Sequence, residues 1–506
     1  MRSKSIHRLP RFALAATLLA GLAACANYSG IKPEAQLRTP QSLGLDASAQ
    51  ATAVDAQWWL GFQDAQLDSL ITQALQSSPS LQLAQARVRR AQAGTDVAHS
   101  ALLPKVNAGV DATHQLYTAN GLYPAPLAGN IYDSGTAQLE ASWELDFFGK
   151  NRAALDAAVG QAKAAQADAQ AARVLLASQV ARNYFQLLRL NAQLGLANRT
   201  LAQRTELLNL VRDRVSAGLD TRLELRQSEG SLPEARQQVE AVQEQIALTR
   251  NALAALVGQP NLALAQNLPA LDAIKNIASA AAVPADLLGR RADITAARWR
   301  VEAASSDVAS AKAQFYPNIN LVGFAGFSSI GLDKLLESGS RQWGIGPAIH
   351  LPIFDAGHLR AGLKGKTADL DAAVESYNAA LIDAVRDVAD QVASQQSITR
   401  QQVEQRAAQQ AAESAYEIAV QRYSAGLGNY LNVLSAETAV LNQRRTQVDL
   451  AARALDTQVA LVRALGGGYS EAQMDASQDA TKNAAAGADG QYASAPSDAK
   501  NNGLVR

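Results

Sequence analysis

Two periods take turns along the chain. Ala137, Leu139, Ala141, Trp143, Leu145 and Phe147 alternate with Gln138, Glu140, Ser142, Glu144 and Asp146, giving one apolar and one strongly polar face. A period of two predicts a strand. Val106, Ala108, Val110 and Ala112, set against Asn107, Gly109, Asp111 and Thr113, predict its partner, and Gly121, Pro124, Pro126 and Gly129 fill the loop between them. A second pair lies further on, with Ile319, Leu321, Gly323, Ala325 and Phe327 on one strand face and Trp343, Ile345, Pro347, Ile349 and Leu351 on another. β-hairpins are expected over 104–148 and 317–354. Strands of about 10 to 12 residues cross a bilayer when tilted. Alternation by itself fits an ordinary soluble sandwich as well.

After each hairpin the period becomes seven. Val180, Leu187, Leu194, Leu201, Leu208 and Val215 keep the spacing of a coiled-coil seam. The run from Lys150 to Val215 contains no proline, and some 65 helical residues rising 1.5 Å each extend for roughly 100 Å. Leu225, Leu232, Val239, Ile246 and Leu253 keep the spacing on a return helix, which Pro233 is expected to kink. Leu434, Leu441, Val448, Leu455 and Val462 do the same near the end. Long helical hairpins are therefore expected over 150–257 and 358–466.

These elements form two copies of one unit. Arg214-Val215-Ser216-Ala217-Gly218-Leu219 returns as Arg422-Tyr423-Ser424-Ala425-Gly426-Leu427, an offset of 426 − 218 = 208. The same offset carries Gly149 onto Gly357, Glu229 onto Glu437, Arg236 onto Arg444 and Gly258 onto Gly466. Pro104 matches Pro317 at a different offset, 213, so the difference falls within the hairpins. The first copy is assigned to 57–258 and the second to 286–469, joined by a connector over 259–285 that carries Pro260, Pro269 and Pro284.

Composition adds little to this picture. Lys plus Arg equals Asp plus Glu at 46 each, so no global field draws the chain to nucleic acid. The amino terminus adds more. Arg2, Lys4, Arg8 and Arg11 precede an apolar stretch, Phe12 to Ala20, too short to span a bilayer, and residues 1–24 read as a secretory signal. Leu22-Ala23-Ala24-Cys25 resembles a bacterial lipobox, and Cys25 is the only cysteine, so a structural disulfide is impossible. Residues 25–56 read as a lipidated tether and 470–506, lacking a periodic apolar set, as a disordered tail.

Four strands cannot close a barrel, and open edges are costly in lipid, so the chain must oligomerise. A dimer would supply eight strands and a filled interior, whereas a trimer would supply twelve and leave a lumen. Gln138, Glu140, Glu144 and Asp146 are the expected lumen-facing side chains.

The lipobox, the duplicated unit, Trp143-Glu144-Leu145-Asp146-Phe147-Phe148-Gly149, its match Leu351-Pro352-Ile353-Phe354-Asp355-Ala356-Gly357, and the Arg422 turn followed by Leu431 together resemble the TolC-like outer membrane factors, within them the lipoprotein branch called NodT or OprM-like. The resemblance implies a mainly α fold with a membrane β-barrel. It implies a homotrimer whose 12-stranded barrel, four strands per chain, continues into a long coiled-coil α-helical barrel. It further implies an exit duct for drugs or metals in the outer membrane, extending into the periplasm and served by a periplasmic adaptor and an inner-membrane pump of the RND type. Thioether lipidation of Cys25 is implied, with no other cofactor. Adaptor docking falls on Gly218, Leu219, Thr221, Gly426 and Leu427, and a latch closing the tip on Asp220, Glu224 and Tyr423. Asn432 and Ser435 stand where some members place lumen-facing aspartates, so they supply no carboxylates for an acidic ring, and Gly428 stands where an arginine can complete the latch.

Enzyme chemistry finds no constellation. The five histidines, His7, His99, His114, His350 and His358, lack metal-ligand spacing. Gly365-Lys366-Thr367 looks like part of a phosphate loop, but Arg360 stands where the first glycine should be. A channel for one-step protein secretion and a coiled-coil structural lipoprotein without a pore are the alternatives to an efflux duct.

Overall fold

A computed structural model describes residues 28–39, 42, 54–262, 264, 268–277 and 287–469. Cys25, the signal segment, part of the tether and connector, and the tail 470–506 lie outside the described residues. In chain order the elements are α1 (Ala65–Ser77), α2 (Pro79–Ser100), β1 (Lys105–Leu116), β2 (Ile131–Glu144), α3 (Lys150–Ser216), α4 (Arg222–Val257), α5 (Ala292–Ala313), β3 (Asn318–Ile330), β4 (Arg341–His350), α6 (His358–Ser424) and α7 (Tyr430–Ala464), with a single helical turn, Leu287–Arg290, ahead of α5. Both long helices, α3 and α6, hold 67 residues. The order α2-β1-β2-α3-α4 recurs as α5-β3-β4-α6-α7, the duplication in structural form. No helix among the described residues is long and apolar enough to cross a membrane.

The chain divides into two compact units. One draws on residues 28–37, 86–166 and 296–379, and the other takes the remaining described residues.

The first unit contains a four-stranded antiparallel meander in the order β1-β2-β3-β4. Its register decides which side chains share a face. Val106 sits opposite Ala141, Ala108 opposite Leu139 and Val110 opposite Ala137. Leu139 in turn faces Ala325 and Trp143 faces Leu321. Trp343, Ile345 and Ile349 stand opposite Ala325, Gly323 and Ile319. One face is thus apolar across all four strands, yet it is bare: Val110 is 77% exposed, Trp343 78% and Ile345 71%. Exposure of that extent on contiguous apolar side chains marks a surface that water does not cover in use.

Helices in this unit pack around Val301, Val308, Phe315, Leu363, Leu370 and Val374. The tether is strapped to them. Asp371 accepts the backbone N–H groups of Glu34 and Ala35 at 2.9 and 3.0 Å, Asn378 donates to the Gln36 carbonyl, and Tyr28 meets Phe315 edge on.

The second unit is built on a larger core in which Trp58, Trp59 and Phe62 pack against Phe185, Leu187, Leu253 and Val459. Asp64 caps α1 through the N–H groups of Gln66 and Leu67, and its second oxygen accepts the buried Tyr184 hydroxyl at 2.7 Å. α3 and α7 run antiparallel, tied by Arg182 to Asp456, Arg189 to Asp449 and Arg204 to Glu437. The first two pairs are seven residues apart on each helix, the repeat of the seam itself.

Candidate functional site

The duplicated turns close two helical hairpins in the second unit. α3 ends at Ser216 and α6 at Ser424 because Gly218 (φ +76°) and Gly426 (φ +75°) take the left-handed conformation that glycine adopts without strain. Leu219 N–H then returns to the Arg214 carbonyl at 2.9 Å and Leu427 N–H to the Arg422 carbonyl at 2.7 Å, which satisfies carbonyls that a helix end leaves open. The following helices start on side-chain caps, Thr221 for α4 and Asn429 for α7.

This geometry pushes leucines outward. Leu219 is 65% exposed and Leu427 70%, and one turn further Leu223 and Leu431 are bare as well. Leu223 and Leu431 are 208 residues apart, so each copy presents the same pair. Leu223 was not among the docking residues expected from the sequence, although the duplication carries it onto Leu431. Thr221 has a structural duty, since its hydroxyl accepts from Leu223 N–H at 3.1 Å.

Beneath the leucines a polar clamp joins the copies. Tyr423, fully buried, donates its hydroxyl to Asp220. Arg214 binds the same carboxylate in a two-pronged contact, Nε to Oδ2 at 2.9 Å and Nη2 to Oδ1 at 3.2 Å. Its Nη1 donates to the Tyr423 carbonyl at 2.9 Å, and the guanidinium carbon lies 4.5 Å from the Tyr423 ring centre. Leu207, Val211, Tyr430 and Val433 form the apolar floor. The hydrogen bond from Arg214, helped by that from Tyr423, holds the Asp220 carboxyl below its ordinary value. Burial, then the bond to Asp220, pushes the Tyr423 phenol well up. At neutral pH the clamp is therefore guanidinium, carboxylate and neutral phenol.

Of the three expected latch residues, Asp220 and Tyr423 meet and Glu224 does not join them. Glu224 turns back to its own helix start, accepting Thr221 N–H at 3.0 Å in a capping box. Its pKa is lowered by the Thr221 hydroxyl first. Arg214 takes the third place instead. In sequence Arg214 looks like its repeat Arg422, and the contact that sets it apart reaches a carbonyl 209 residues away. The copies differ at the partner: position 428, where Asp220 would recur, holds glycine, and among the described residues Arg422 reaches only the Leu427 carbonyl at 3.4 Å.

The expected lumen residues divide as well. Gln138 donates to Glu140 at 2.7 Å and accepts from Gln342 at 2.9 Å. That second bond passes over Gly326, where a Cβ would come within 2.2 Å of the Ala137 carbonyl oxygen. Glu144 is paired with Lys150 at 2.5 Å. Asp146 does not belong to the strand face. β2 stops at Glu144, and Asp146 accepts the N–H groups of Asn151 and Arg152 at 3.2 and 2.8 Å, capping α3. The alternation runs on to Phe147 in the sequence, but the need to satisfy the first N–H groups of a 67-residue helix claims the aspartate. No cluster of His, Cys, Asp or Glu among the described residues has the makings of a metal site.

A family model described as outer membrane efflux protein matches residues 70–259 and 283–467. The fusaric acid resistance protein FusA of Burkholderia cepacia is 38% identical over 358 residues, 69% of this chain and 67% of that protein. The multidrug resistance outer membrane protein MdtQ of Escherichia coli O6:H1 is 32% identical over 472 residues, 89% of this chain and 97% of MdtQ. The crystal structure of the outer membrane protein VceC from Vibrio cholerae has a TM-score of 0.77 at 39% identity, over 81% of this chain and 98% of that one.

Proposed function

The chain belongs to the outer membrane efflux protein family, and from that membership we propose that it is the exit duct of a tripartite system, fed by an inner-membrane pump of the RND type through a periplasmic adaptor. As a member it is a channel protein of the outer membrane that extends into the periplasm, and it is not an enzyme. The observation that carries the duct is the sheet. One face is apolar and bare, the other carries Gln138, Glu140, Gln342 and Glu144, and β1 and β4 each leave one edge unpaired. Three copies joined edge to edge give a 12-stranded closed barrel with lipid outside and water within, which removes every open edge.

Small toxic compounds are the proposed cargo. FusA and MdtQ carry fusaric acid and multidrug resistance in their names, which favours efflux over protein secretion. Cys25 takes the lipid in this proposal, and the strapped segment from Tyr28 onward follows it into the first unit. Loss of labelled palmitate from a Cys25→Ser variant would bear this out.

Gly218, Leu219, Leu223, Gly426, Leu427 and Leu431 form the adaptor-docking tip, with Thr221 keeping the first turn in shape. Photo-crosslinking in living cells from a reactive residue at Leu219 or Leu427 tests the arrangement. A captured periplasmic adaptor is expected. Crosslinks confined to copies of the chain, under conditions that induce efflux, would overturn it.

A further inference from the structure

The second unit holds a cleft of about 390 Å³ between α3, α4 and α7 that no role described above uses. The size suits a small molecule, since ligand sites range over roughly 300 to 1,000 Å³. Pro233 removes one backbone donor from α4 immediately before the stretch, Glu234 to Val242, that lines the cleft.

Two guanidinium groups, one from each copy, line this space. Arg204 places Nε on the buried Glu437 at 3.1 Å and Nη1 on the Ser231 carbonyl at 3.0 Å, and its Nη2 makes no hydrogen bond among the described residues. Glu437, 2% exposed, balances its charge from behind. Glu234 lies 3.6 Å from Nη1, but its side chain is 77% exposed and screened by water. Arg445 has neither ion pair nor hydrogen bond among the described residues, whereas Glu437 and Glu234 both lie against Arg204, so the Arg445 guanidinium is the one open to an incoming carboxylate. Leu196, Ala197, Val242 and Leu441 make up an apolar wall.

The duplication provides an internal comparison. At the 208-residue offset Arg204 becomes Ala412, Arg445 becomes Gln237, Leu196 becomes Glu404 and Ala197 becomes Gln405. The repeated scaffold therefore does not require this combination of paired guanidinium groups and apolar wall.

We infer that the cleft is a binding site for an organic anion, its carboxylate held by Arg445 and the free edge of Arg204, its apolar body against Leu196, Ala197, Val242 and Leu441. A guanidinium offers a carboxylate two parallel donors, and the apolar wall selects against inorganic ions. Binding is read without transport, so its failure is separable from failure of the duct.

The full chain, purified in detergent, is titrated calorimetrically with 1-naphthoate and, as a cation of similar size, with 1-naphthylmethylammonium. Saturable binding of the carboxylate at one site per chain is expected, with none of the ammonium compound. Arg445→Gln, which installs the residue found at Gln237, should weaken binding at least tenfold with unchanged melting, because Arg445 is exposed and unpaired. Absence of saturable naphthoate binding to the unaltered protein, or undiminished binding to Arg445→Gln, would overturn the inference.

Discussion

Asp220 of the first copy accepts the hydroxyl of Tyr423 of the second across 203 residues of sequence, and Arg214 grips both. Neither residue recurs at its duplicated position: 428 holds glycine and 215 holds valine. Each chain therefore has one such clamp and not two. Duplication built the two turns, and divergence at single positions in each joined them.

Removing members of the clamp should cost unequal amounts. Arg214→Ala leaves Asp220 charged with only a phenol for company, and the side chains of the pair are just 10% and 11% exposed. A loss of about 3–5 kcal/mol is expected for breaking a buried pair from one side. Tyr423→Phe removes one hydrogen bond to a charged group, roughly 1.5–3 kcal/mol. Hydrogen exchange of the turn amides should rank Arg214→Ala above Tyr423→Phe, and the reverse order would mean that the phenol is the principal tie.

The pH dependence has a definite sign. Asp220 is held below its ordinary 3.8 in the clamp, and we propose that the clamp closes the duct, so that opening would return the carboxyl to its ordinary value. A depressed carboxyl stabilises the closed form fully above the ordinary value and ceases to do so as pH falls through the lowered one. Opening measured as conductance should then be flat from about pH 5 to about pH 8 and rise only in stronger acid. Asp220→Asn should abolish the acid rise, while a rise near neutral pH would implicate another group.

Glu224→Ala should act locally. Its carboxylate serves the Thr221 cap and touches neither Tyr423 nor Arg214. Fraying of the first turn of α4 is expected, visible by amide exchange at positions 223 and 224, with little change in conductance. Conductance equal to that of Arg214→Ala would contradict this assignment.

Two glycine substitutions should separate conformational strain from collision. At Gly218 an added Cβ meets nothing within 4 Å, so Gly218→Ala costs roughly the 1–2 kcal/mol of a left-handed residue. At Gly466 (φ +98°) the Cβ would lie 1.8 Å from the Arg290 carbonyl oxygen, and about 4 kcal/mol or more is expected. Thermal melting of the purified assemblies checks the difference, and equal melting temperatures would contradict it.

Local patterns made most of the fold legible. The alternation at 137–147, the heptads from Val180 and from Leu434, and the repeated glycine turns each depend on neighbours in sequence. What escaped depends on distant partners. Arg214 has one partner six residues away, but its importance arises from the Tyr423 carbonyl, 209 residues away. Asp146 fits a strand pattern that continues past the point where the ladder ends. Glu224 sits three residues after Thr221, a capping-box spacing visible in the sequence, and that local role competes with the latch role implied by family resemblance.

Single-channel conductance in planar bilayers at neutral pH, comparing the unaltered protein with Arg214→Ala, decides whether the clamp closes a water-filled duct. A duct closed by the clamp should show a small, rarely open conductance in the unaltered protein and a large, lasting one in the variant. No conductance in either, from protein shown to be folded and inserted, would contradict a water-filled duct, and equally large conductance in both would contradict closure by Arg214, Asp220 and Tyr423.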